Sequence, residues 1–527
     1  MRKMFGIMID CSRSAVMSVA TVKNYANIIK KMGYNTLMLY TEDTYEVDNQ
    51  PLFGHLRGKY SKAELREIDE HCTAIGIEAI PCIQTLAHLE NLFRWEEYQN
   101  INDCYNILLA GEEKTYELID NMFSTLSECF KTRKIHIGMD EAYRVGTGKY
   151  QQRHGTQDRF DIINNHLHRV CDIAKKYNYE PMVWSDMFCK LAFDLQSQYD
   201  DADTSKILEK AQLPDNISLV YWDYYNTDYS HYVNQIKTNK VFGRKVYFAG
   251  GAWTWNGFSP ANDYSIKTTT PALKACNDCG VDGIFFTMWG DNGSECSKFS
   301  VLPSLMFAVE SYKGNTDMND IKAKFKEIIG CDFDSFTTLD GFDTPGGKHT
   351  GNVPNKYLLY NDYFLGLNDC YCSEADGNYY AELAKKLAAI ENCGEYKYMF
   401  DFYKKLADVL AIKAPLGIKT RKAYLTKEKD RLPAIIEEYE RLLPELEELL
   451  TLFRKRWFKE NKTFGFDVHE IRLGGLIART KSCKMRLEQL LSGEITSIPE
   501  LEEPVYEKKI TTHWWPEIAS PNSVFGI

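Results

Sequence analysis

Two adjacent carboxylates, Asp140 and Glu141, are the residues of this sequence whose types and spacing most directly suggest chemistry. They end the stretch 134–141, KIHIGMDE, which opens as a short apolar run typical of a buried parallel strand. Acidic side chains are disfavoured in a strand core, but in an α/β barrel the C-terminal strand ends carry the chemistry. The pair is therefore predicted to be catalytic, in preference to an Asp that only caps a strand.

An alternation of a short apolar run, a polar loop and an amphipathic helical stretch repeats through the first three hundred or so residues. The apolar runs cover residues 5–12, 36–42, 78–85, 134–141, 180–187, 217–225, 245–255 and 283–292. Eight such runs predict an α/β fold, a (β/α)8 TIM barrel spanning residues 1–315. An open doubly wound sheet is the alternative, and it would need fewer strands or a switch in strand order.

Each run ends in polar or aromatic residues, and closing the barrel would gather these at one mouth. They include Asp10, Arg13, Glu42, Asp43, Gln84, His88, Asp140, Glu141, Trp184, Asp186, Asp223, Tyr225, Trp253, Trp255, Trp289 and Asp291. Tryptophan faces stack on the apolar C–H faces of pyranoses, while acids, His and Arg bind ring hydroxyls. The mouth is therefore predicted to bind a sugar.

The sequence pattern changes after about residue 315. From there, long charged stretches contain apolar residues at helical spacing, as in residues 431–461 and 470–493. This predicts an α-helical C-terminal domain over residues 316–527. Its charge runs are interpreted as solvated helix faces, with no role beyond packing or self-association into a homodimer. Trp514 and Trp515 are expected to dock on the body of the protein.

The composition excludes several classes of partner and compartment. A formal net charge of −11 argues against nucleic acid and against an anionic membrane surface. The N-terminus reaches Asp10 before a signal-peptide apolar segment could form, and no later run is long enough to span a membrane. The 15 cysteines are scattered and odd in number, so no disulfide framework is expected. The chain is predicted to be soluble and cytoplasmic.

No cofactor and no metal are expected. His136 lies in mid-strand without a second His placed to join it, and it is interpreted as a structural histidine. The C-x-x-C of Cys276 and Cys279 has no second Cys pair or neighbouring His to complete a zinc site.

Cleaving a glycosidic bond ordinarily takes two carboxylates about 5 Å or more apart, one as proton donor and one opposite it. Successive side chains of a strand point to opposite faces, so the adjacent Asp140 and Glu141 cannot face one another across the glycosidic bond. An adjacent pair better fits substrate-assisted hydrolysis, in which the 2-acetamido oxygen of the sugar attacks its own anomeric carbon. One carboxylate then holds the acetamido N–H, and its neighbour serves as general acid and base.

The segment HIGMDE resembles the H-x-G-x-D-E signature of glycoside hydrolase family 20, the β-N-acetylhexosaminidases, and the following AYRVGTGKY is similar to the hexosaminidase D-like branch. The resemblance covers residues 1 to about 315. It implies that Asp140 orients the acetamido group that closes to an oxazolinium intermediate, and that Glu141 is the acid/base. Glu141 must then start protonated, while Asp140 stays ionised.

The resemblance also implies which other side chains contact the sugar, at subsites built by the remaining strand ends. Arg13 would bind the 3- and 4-hydroxyls, His88 matches a catalytic-site His, and Asp291 would bind the 4- and 6-hydroxyls. Walls of the acetamido pocket match Trp184 and Trp289, and Tyr224 is favoured over Tyr221 or Tyr225 for the acetamido carbonyl. Trp253 and Trp255 complete the predicted aromatic lining. The sequence departs from many members in two places, since it begins directly at the first strand and reads IPCIQTLAHLE instead of P-x-D-x-P-G-H.

The predicted function is exo-acting hydrolysis of terminal β-linked GlcNAc or GalNAc from an oligosaccharide or glycoconjugate, with retention. Four alternatives stay open. They are another glycosidase or a metal-dependent barrel hydrolase, a carbohydrate-binding barrel without activity, an assembly protein that acts through its helical domain, and a family member of another specificity, either disaccharide-releasing or specific for 6-sulfo-GlcNAc. The sequence leaves the choice between GlcNAc and GalNAc undecided.

Overall fold

The computed structural model describes residues 3–206, 211–343, 354–504 and 506. Trp514 and Trp515 lie outside the described residues, so their predicted docking stays a prediction. The chain divides into two compact units. The barrel unit comprises Met1–Trp253, Tyr264–Trp289 and Ser304–Ile321, and the helical unit comprises Thr254–Asp263, Gly290–Pro303 and Lys322–Ile527.

Eight parallel strands close the barrel, in the spatial order β1-β10-β9-β8-β7-β6-β3-β2. In chain order the strands are β1 Met4–Asp10, β2 Thr36–Tyr40, β3 Glu78–Cys82, β4 Asn102–Cys104, β5 Ile107–Leu108, β6 Lys134–His136, β7 Glu180–Trp184, β8 Ser218–Trp222, β9 Lys245–Gly251 and β10 Gly283–Met288. All eight predicted barrel strands are confirmed. The open sheet is excluded because β1 pairs with β10, while β4 and β5 form a separate antiparallel hairpin that the sequence pattern did not predict.

Helices follow the strands in the alternation that the sequence predicts. They are α1 Val19–Met32, α2 Lys62–Ile75, α3 Glu113–Cys129, α4 Lys149–His154, α5 Arg159–Lys176, α6 Asp186–Ala192, α7 Tyr229–Lys240, α8 Asn262–Cys279, α9 Leu302–Tyr312 and α10 Met318–Ile329. Local sequence sets several of these boundaries. Helix α2 starts in a capping box of Ser61 and Glu64, and it ends at Gly76, whose left-handed backbone conformation favours glycine.

The barrel interior is filled by side chains rather than open. Inward-facing residues from the strands form one buried cluster, and Trp222 and Trp289 pack against it. The cluster comprises Met4, Met8, Met38, Tyr40, Ile80, Cys82, Met182, Trp184, Val220, Tyr247, Ala249 and Phe285. Tyr40, Cys82 and Trp184 are the last residues of β2, β3 and β7, at the end of the barrel where the candidate site lies.

The helical unit contains the remaining α-helices of the described residues. They are α11 Phe333–Thr337, α12 Pro354–Tyr360, α13 Ala375–Ala388, α14 Lys397–Leu425, α15 Leu432–Glu460, α16 Asp467–Ser492 and α17 Pro499–Glu502. The predicted helical stretches 431–461 and 470–493 are confirmed as α15 and α16, the latter beginning three residues earlier. The fold class expected from the sequence, a TIM barrel followed by a helical region, is thus correct.

A buried charge cluster stabilises the interior of the helical unit. Glu295, 1% exposed, contacts Lys356 Nζ at 2.6 Å and Arg472 Nη1 at 2.7 Å. Burial lowers the pKa of Lys356 to about 8, against the opposing effect of Glu295. Arg472 also donates to the carbonyl of Asn292, and His469 contacts the carbonyl of Gly293 at 2.8 Å. These contacts hold residues 292–295 within the unit.

We predict that Arg472→Met lowers the free energy of unfolding by about 2–4 kcal/mol, because it removes one of the two cations that contact buried Glu295, together with the hydrogen bond to the Asn292 carbonyl. Thermal and denaturant unfolding would measure the loss. Arg454→Met is the matched control, since Arg454 pairs with Glu470 in solvent at 2.7 Å and its removal should cost under about 0.5 kcal/mol. Equal effects of the two substitutions would contradict the prediction.

Candidate active site

The adjacent carboxylates lie on a turn that follows β6 rather than in the strand itself. Gly138, Met139 and Glu141 all have positive φ, at 72°, 74° and 51°. A Cβ on Gly138 would overlap Gln84 Oε1, so glycine is required there. Left-handed backbone at the two non-glycine residues costs about 1 kcal/mol or more each and persists only where the surroundings hold it. The turn is thus a strained feature fixed by its neighbours.

Asp140 points into the protein and is 8% exposed. Gln84 Nε2 donates to Asp140 Oδ1 at 2.6 Å, and His88 Nε2 lies 3.2 Å from Asp140 Oδ2. Burial alone would raise the pKa of Asp140, but the charge of His88 and these contacts outweigh it and bring the pKa to about 2. Asp140 is therefore a buried carboxylate that stays ionised at neutral pH.

Glu141 has different surroundings, because its side chain is 43% exposed. Its backbone N–H donates to Asp186 Oδ2 at 3.0 Å, which anchors the end of the turn to the segment after β7. Burial, and then the charge of Asp140, raise the pKa of Asp186 to about 8. The left-handed turn thus separates two neighbouring carboxylates into a buried and an accessible position.

His88 lies between the two carboxylates, with Nε2 3.7 Å from Glu141 Oε2 as well as 3.2 Å from Asp140 Oδ2. Its φ of 56° is also left-handed. Burial lowers the pKa of His88, but the nearby Asp140 carboxylate more than offsets that effect and raises the pKa to about 9. At neutral pH His88 therefore carries a positive charge beside the ionised Asp140.

Arg13 lies at the end of β1, with Nη1 3.2 Å from Glu42 Oε1. Its guanidinium carbon is 5.1 Å from the centre of the Tyr40 ring and 5.2 Å from that of Trp289. Burial raises the pKa of Glu42 to about 7, although Arg13 lowers it. The Arg13 side chain, 22% exposed, is thereby held by an acid on one side and two aromatic rings on the other.

The predicted aromatic residues of the barrel unit form a connected wall. The rings of Trp184 and Trp289 lie 6.2 Å apart. Trp289 Nε1 donates to the hydroxyl of Tyr224 at 3.1 Å, and Trp253 Nε1 donates to the backbone carbonyl of Tyr224 at the same distance. The structure therefore brings Trp184, Tyr224, Trp253 and Trp289 to one end of the barrel.

The three tyrosines considered for acetamido recognition differ in their surroundings. The Tyr221 hydroxyl donates to buried Asp223 at 2.9 Å, and Tyr225 is 48% exposed with its ring against Trp253. Tyr224 is 4% exposed and its hydroxyl adjoins Trp289. This geometry is compatible with the preference for Tyr224, whose role stays a prediction.

Not every strand-end residue contributes to the site. Asp43 is paired with Arg57 at 3.1 Å, and Asp223 contacts His231 at 2.7 Å, so both acids serve local structure. Trp255 and Asp291 belong to the helical unit, and their predicted sugar contacts stay predictions.

Tyr40, Gln84 and Asp186 contribute to the site in ways that sequence reasoning missed. The sequence pattern places Gln84 and Asp186 among the strand-end residues but assigns them no role, and it does not single out Tyr40. Strand alternation could have indicated Tyr40, because Met38 and Tyr40 occupy alternate positions of β2 and both face the barrel interior. The contacts that Gln84 and Asp186 make to the turn had no sequence signal, because they join strands far apart in the chain.

Among the described residues, no group of three or more His, Cys, Asp or Glu side chains could hold a metal ion. His136 is fully buried, accepts the N–H of Gly138 at 3.1 Å and lies 4.3 Å from the Trp184 ring. Burial lowers the pKa of His136 to about 3, so it is neutral. Within the same part of the chain no helix is both long and apolar enough to cross a membrane.

Comparison with known families matches residues 4–283 to "Glycosyl hydrolase family 20, catalytic domain". The chain belongs to glycoside hydrolase family 20. A second model, "Glycoside Hydrolase 20C C-terminal domain", matches residues 334–513. The resemblance drawn from HIGMDE is therefore confirmed, and so is the expected enzyme class, a glycoside hydrolase of the β-N-acetylhexosaminidase family.

The family 20 chain is similar to hexosaminidase D of Bos taurus, with 23% identity over 339 residues that cover 58% of this chain and 90% of that protein. Hexosaminidase D of Homo sapiens is also 23% identical, over 358 residues that cover 63% of this chain and 69% of that protein. Among solved structures, the family 20 exo-β-N-acetylglucosaminidase of Vibrio harveyi aligns with a TM-score of 0.47 and 16% identity. That alignment covers 64% of this chain and 59% of the Vibrio chain, less than two thirds of it.

The raised pKa of His88 predicts a pH-dependent contribution to the stability of this family 20 barrel. Because the folded pKa of about 9 exceeds the ordinary 6.5, the contribution is complete below about pH 6.5 and is lost as pH rises through about 9. The difference in unfolding free energy between wild type and His88→Gln should therefore shrink by up to about 3 kcal/mol from about pH 6 to about pH 9.5.

Denaturant unfolding at several pH values measures this difference. His71→Gln is the control, since the His71 ring contacts Asn27 rather than a carboxylate. A wild-type minus His88→Gln difference that stays constant over the same pH range would show that folding does not raise the pKa of His88 and would contradict the prediction.

Proposed function

We propose that this chain is an exo-acting β-N-acetylhexosaminidase that releases terminal, non-reducing β-linked GlcNAc or GalNAc with retention, by substrate-assisted catalysis. The observation that carries the proposal is the contrast between the two adjacent carboxylates. Asp140 is buried, ionised and hydrogen-bonded, whereas the side chain of Glu141 is 43% exposed. This arrangement suits a fixed anion that orients the substrate and an accessible group that exchanges protons with it.

In the first step protonated Glu141 donates its proton to the glycosidic oxygen, and the bond from that oxygen to the anomeric carbon breaks. The acetamido carbonyl oxygen forms a bond to the anomeric carbon, giving an oxazolinium ring. Asp140 accepts a hydrogen bond from the acetamido N–H and stabilises the positive charge that develops there. The aglycone leaves with the proton supplied by Glu141.

In the second step Glu141, now a carboxylate, takes a proton from a water molecule that attacks the anomeric carbon. The bond to the acetamido oxygen breaks, and the sugar is released in its original anomeric configuration. Two displacements at the same carbon give net retention. The positive charge on His88 helps to keep Asp140 ionised through both steps, because it favours the carboxylate form.

The sugar ring is proposed to contact the aromatic wall and the charged groups at the strand ends. Arg13 would bind the 3- and 4-hydroxyls, and Trp184 and Trp289 would enclose the acetamido methyl group. Tyr224 would donate to the acetamido carbonyl. The hydroxyl contacts of Asp291 are proposed from the family resemblance, and the stacking roles of Trp253 and Trp255 from their places at the end of a predicted barrel strand.

Location and assembly are also proposals. All 15 cysteines fall within the described residues and none is in a disulfide, which favours the reducing cytoplasm. Self-association into a homodimer through the helical unit, and the absence of nucleic-acid and membrane partners, stay predictions that sedimentation and binding assays would test. A carbohydrate-binding barrel without activity is not favoured, because binding alone does not require an accessible acid beside a buried, ionised one.

Hydrolysis of 4-nitrophenyl β-GlcNAc, β-GalNAc and β-glucoside tests the proposed chemistry directly. We expect cleavage of the two acetamido sugars, inhibition by a thiazoline that mimics the oxazolinium ring, and little action on the glucoside, which lacks the internal nucleophile. The relative rates would rank the two epimers. Cleavage of the glucoside at a comparable rate, or of none of the three, would contradict the proposal.

Substitutions at the acid pair should have separable effects. Asp140→Asn should lower kcat by more than about 100-fold with every leaving group, because the intermediate loses its anion. Glu141→Gln should lower activity strongly with poor leaving groups and less with activated phenols, which depart without a proton. Steady-state kinetics over a series of phenol leaving groups measures both effects. Asp140→Asn activity within about tenfold of wild type would overturn the assignment.

A further inference from the structure

Gln84 follows β3 by two residues, and both the oxygen and the NH2 group of its side chain hydrogen-bond to the turn at residues 138–141. Its Oε1 accepts the N–H of Met139 at 3.0 Å, and its Nε2 donates to Asp140 Oδ1 at 2.6 Å and to the Tyr40 hydroxyl at 2.8 Å. Gln84 is fully buried. One acceptor and two donors are thus all engaged without competition from water.

The orientation of this amide follows from its partners. The backbone N–H of Met139 can only donate, so it requires the oxygen of Gln84 and leaves the NH2 group to face Asp140. The Tyr40 hydroxyl accepts from that group and donates onward to Glu42 Oε1 at 3.1 Å. The NH2 group of Gln84 therefore cannot turn away from Asp140 without leaving the Met139 N–H unpaired.

We infer that Gln84 is a positioning residue for catalysis, which fixes the Asp140 carboxylate and the left-handed Met139 peptide with one side chain. This inference rests on the proposed function of Asp140. A neutral donor at this position orients the carboxylate that must receive the acetamido N–H. Removing it would let Asp140 rotate and would free the strained turn, so the loss should appear in kcat more than in KM.

Other titratable or charged groups face the same carboxylate or its surroundings. They are Arg13 after β1, Tyr40 and Glu42 at the end of β2, Cys82 and His88 at β3, His136 in β6, Glu141 and Tyr143 after it, Asp186 after β7, and Tyr224 after β8. His88, Arg13 and Asp140 itself are unchanged in both position-84 variants. A change that follows Gln84 substitution alone is therefore attributable to the group at position 84.

Gln84→Glu is the sharpest test because it keeps the shape and the acceptor for Met139 but replaces the donor facing Asp140 with an acid. Two carboxyl groups in hydrogen-bond contact cannot both ionise readily, so the pair should retain one proton at acid pH. In that state the protonated carboxyl group introduced at position 84 donates to Asp140 as the amide does. As pH rises and the proton leaves, repulsion should displace Asp140.

We therefore expect Gln84→Glu to approach wild-type kcat at acid pH and to lose activity with rising pH. The alkaline limb of its kcat profile should lie at least about one pH unit below that of wild type. Gln84→Met, which removes donor and acceptor together, should lower kcat by about 10- to 100-fold at all pH values, with KM little changed. The profiles would be recorded with 4-nitrophenyl β-GlcNAc.

Gln50→Glu is the matched control. The side-chain oxygen of Gln50 accepts a hydrogen bond from the Tyr98 hydroxyl at 3.0 Å, and a carboxylate at this position could accept the same bond. Its profile should match that of wild type. Thermal unfolding would confirm that each variant is folded. Failure of both position-84 variants to fold would assign Gln84 to stability and overturn the inference.

A folded Gln84→Glu enzyme with a wild-type profile, or with an equal loss at every pH, would also overturn the inference. Asp140→Asn is assayed in parallel to separate this failure from that of the proposed function. If Asp140→Asn is inactive while Gln84→Glu behaves as wild type, only the role of Gln84 is wrong. If wild type fails to cleave the acetamido sugars, or Asp140→Asn retains activity, the proposed function itself is wrong.

Discussion

The burial of one ionised carboxylate is the constraint on which the candidate site depends. A carboxylate removed from water is costly unless donors and positive charge compensate it. Asp140 receives a hydrogen bond from Gln84 and the charge of His88, both from the segment at the end of β3. Because β3 pairs directly with β6 in the closed barrel, this segment lies beside the turn that carries Asp140. Barrel closure therefore supplies the compensation that the buried anion requires.

The backbone of the turn gives two neighbouring residues different environments. Positive φ at Met139 and Glu141 departs from strand alternation and turns Asp140 inward, while Glu141 stays accessible. Such backbone is unfavourable by itself, and hydrogen bonds from Met139 to Gln84 and from Glu141 to Asp186 hold it in place. The strain of the turn and the positioning of the acid pair thus have the same origin in contacts from adjacent strands.

Buried acids are compensated by positive charge to different extents at the barrel site and in the interior of the helical unit. In the helical unit, Glu295 is buried with Lys356 and Arg472 in direct contact, so this carboxylate has two cationic partners at hydrogen-bond distance. In the barrel unit, Glu42 and Asp186 are buried acids whose pKa values rise to about 7 and about 8 because compensation is incomplete. Acids with raised pKa values beside an ionised one are typical of sites where protons are exchanged.

The sequence by itself determined the eight barrel strands, the helices around residues 431–461 and 470–493, and the family, because apolar periodicity and the HIGMDE segment are local signals. It also singled out Asp140, Glu141 and the aromatic residues at the strand ends as candidates, whose roles stay predictions. Only the tertiary structure decided that Asp43 pairs with Arg57, that Gln84 and Asp186 hold the turn, and that the turn is left-handed. These features depend on hydrogen bonds between residues about 14 to 55 positions apart in the chain, within the loop after β2 or between neighbouring strand ends, which no local sequence pattern records.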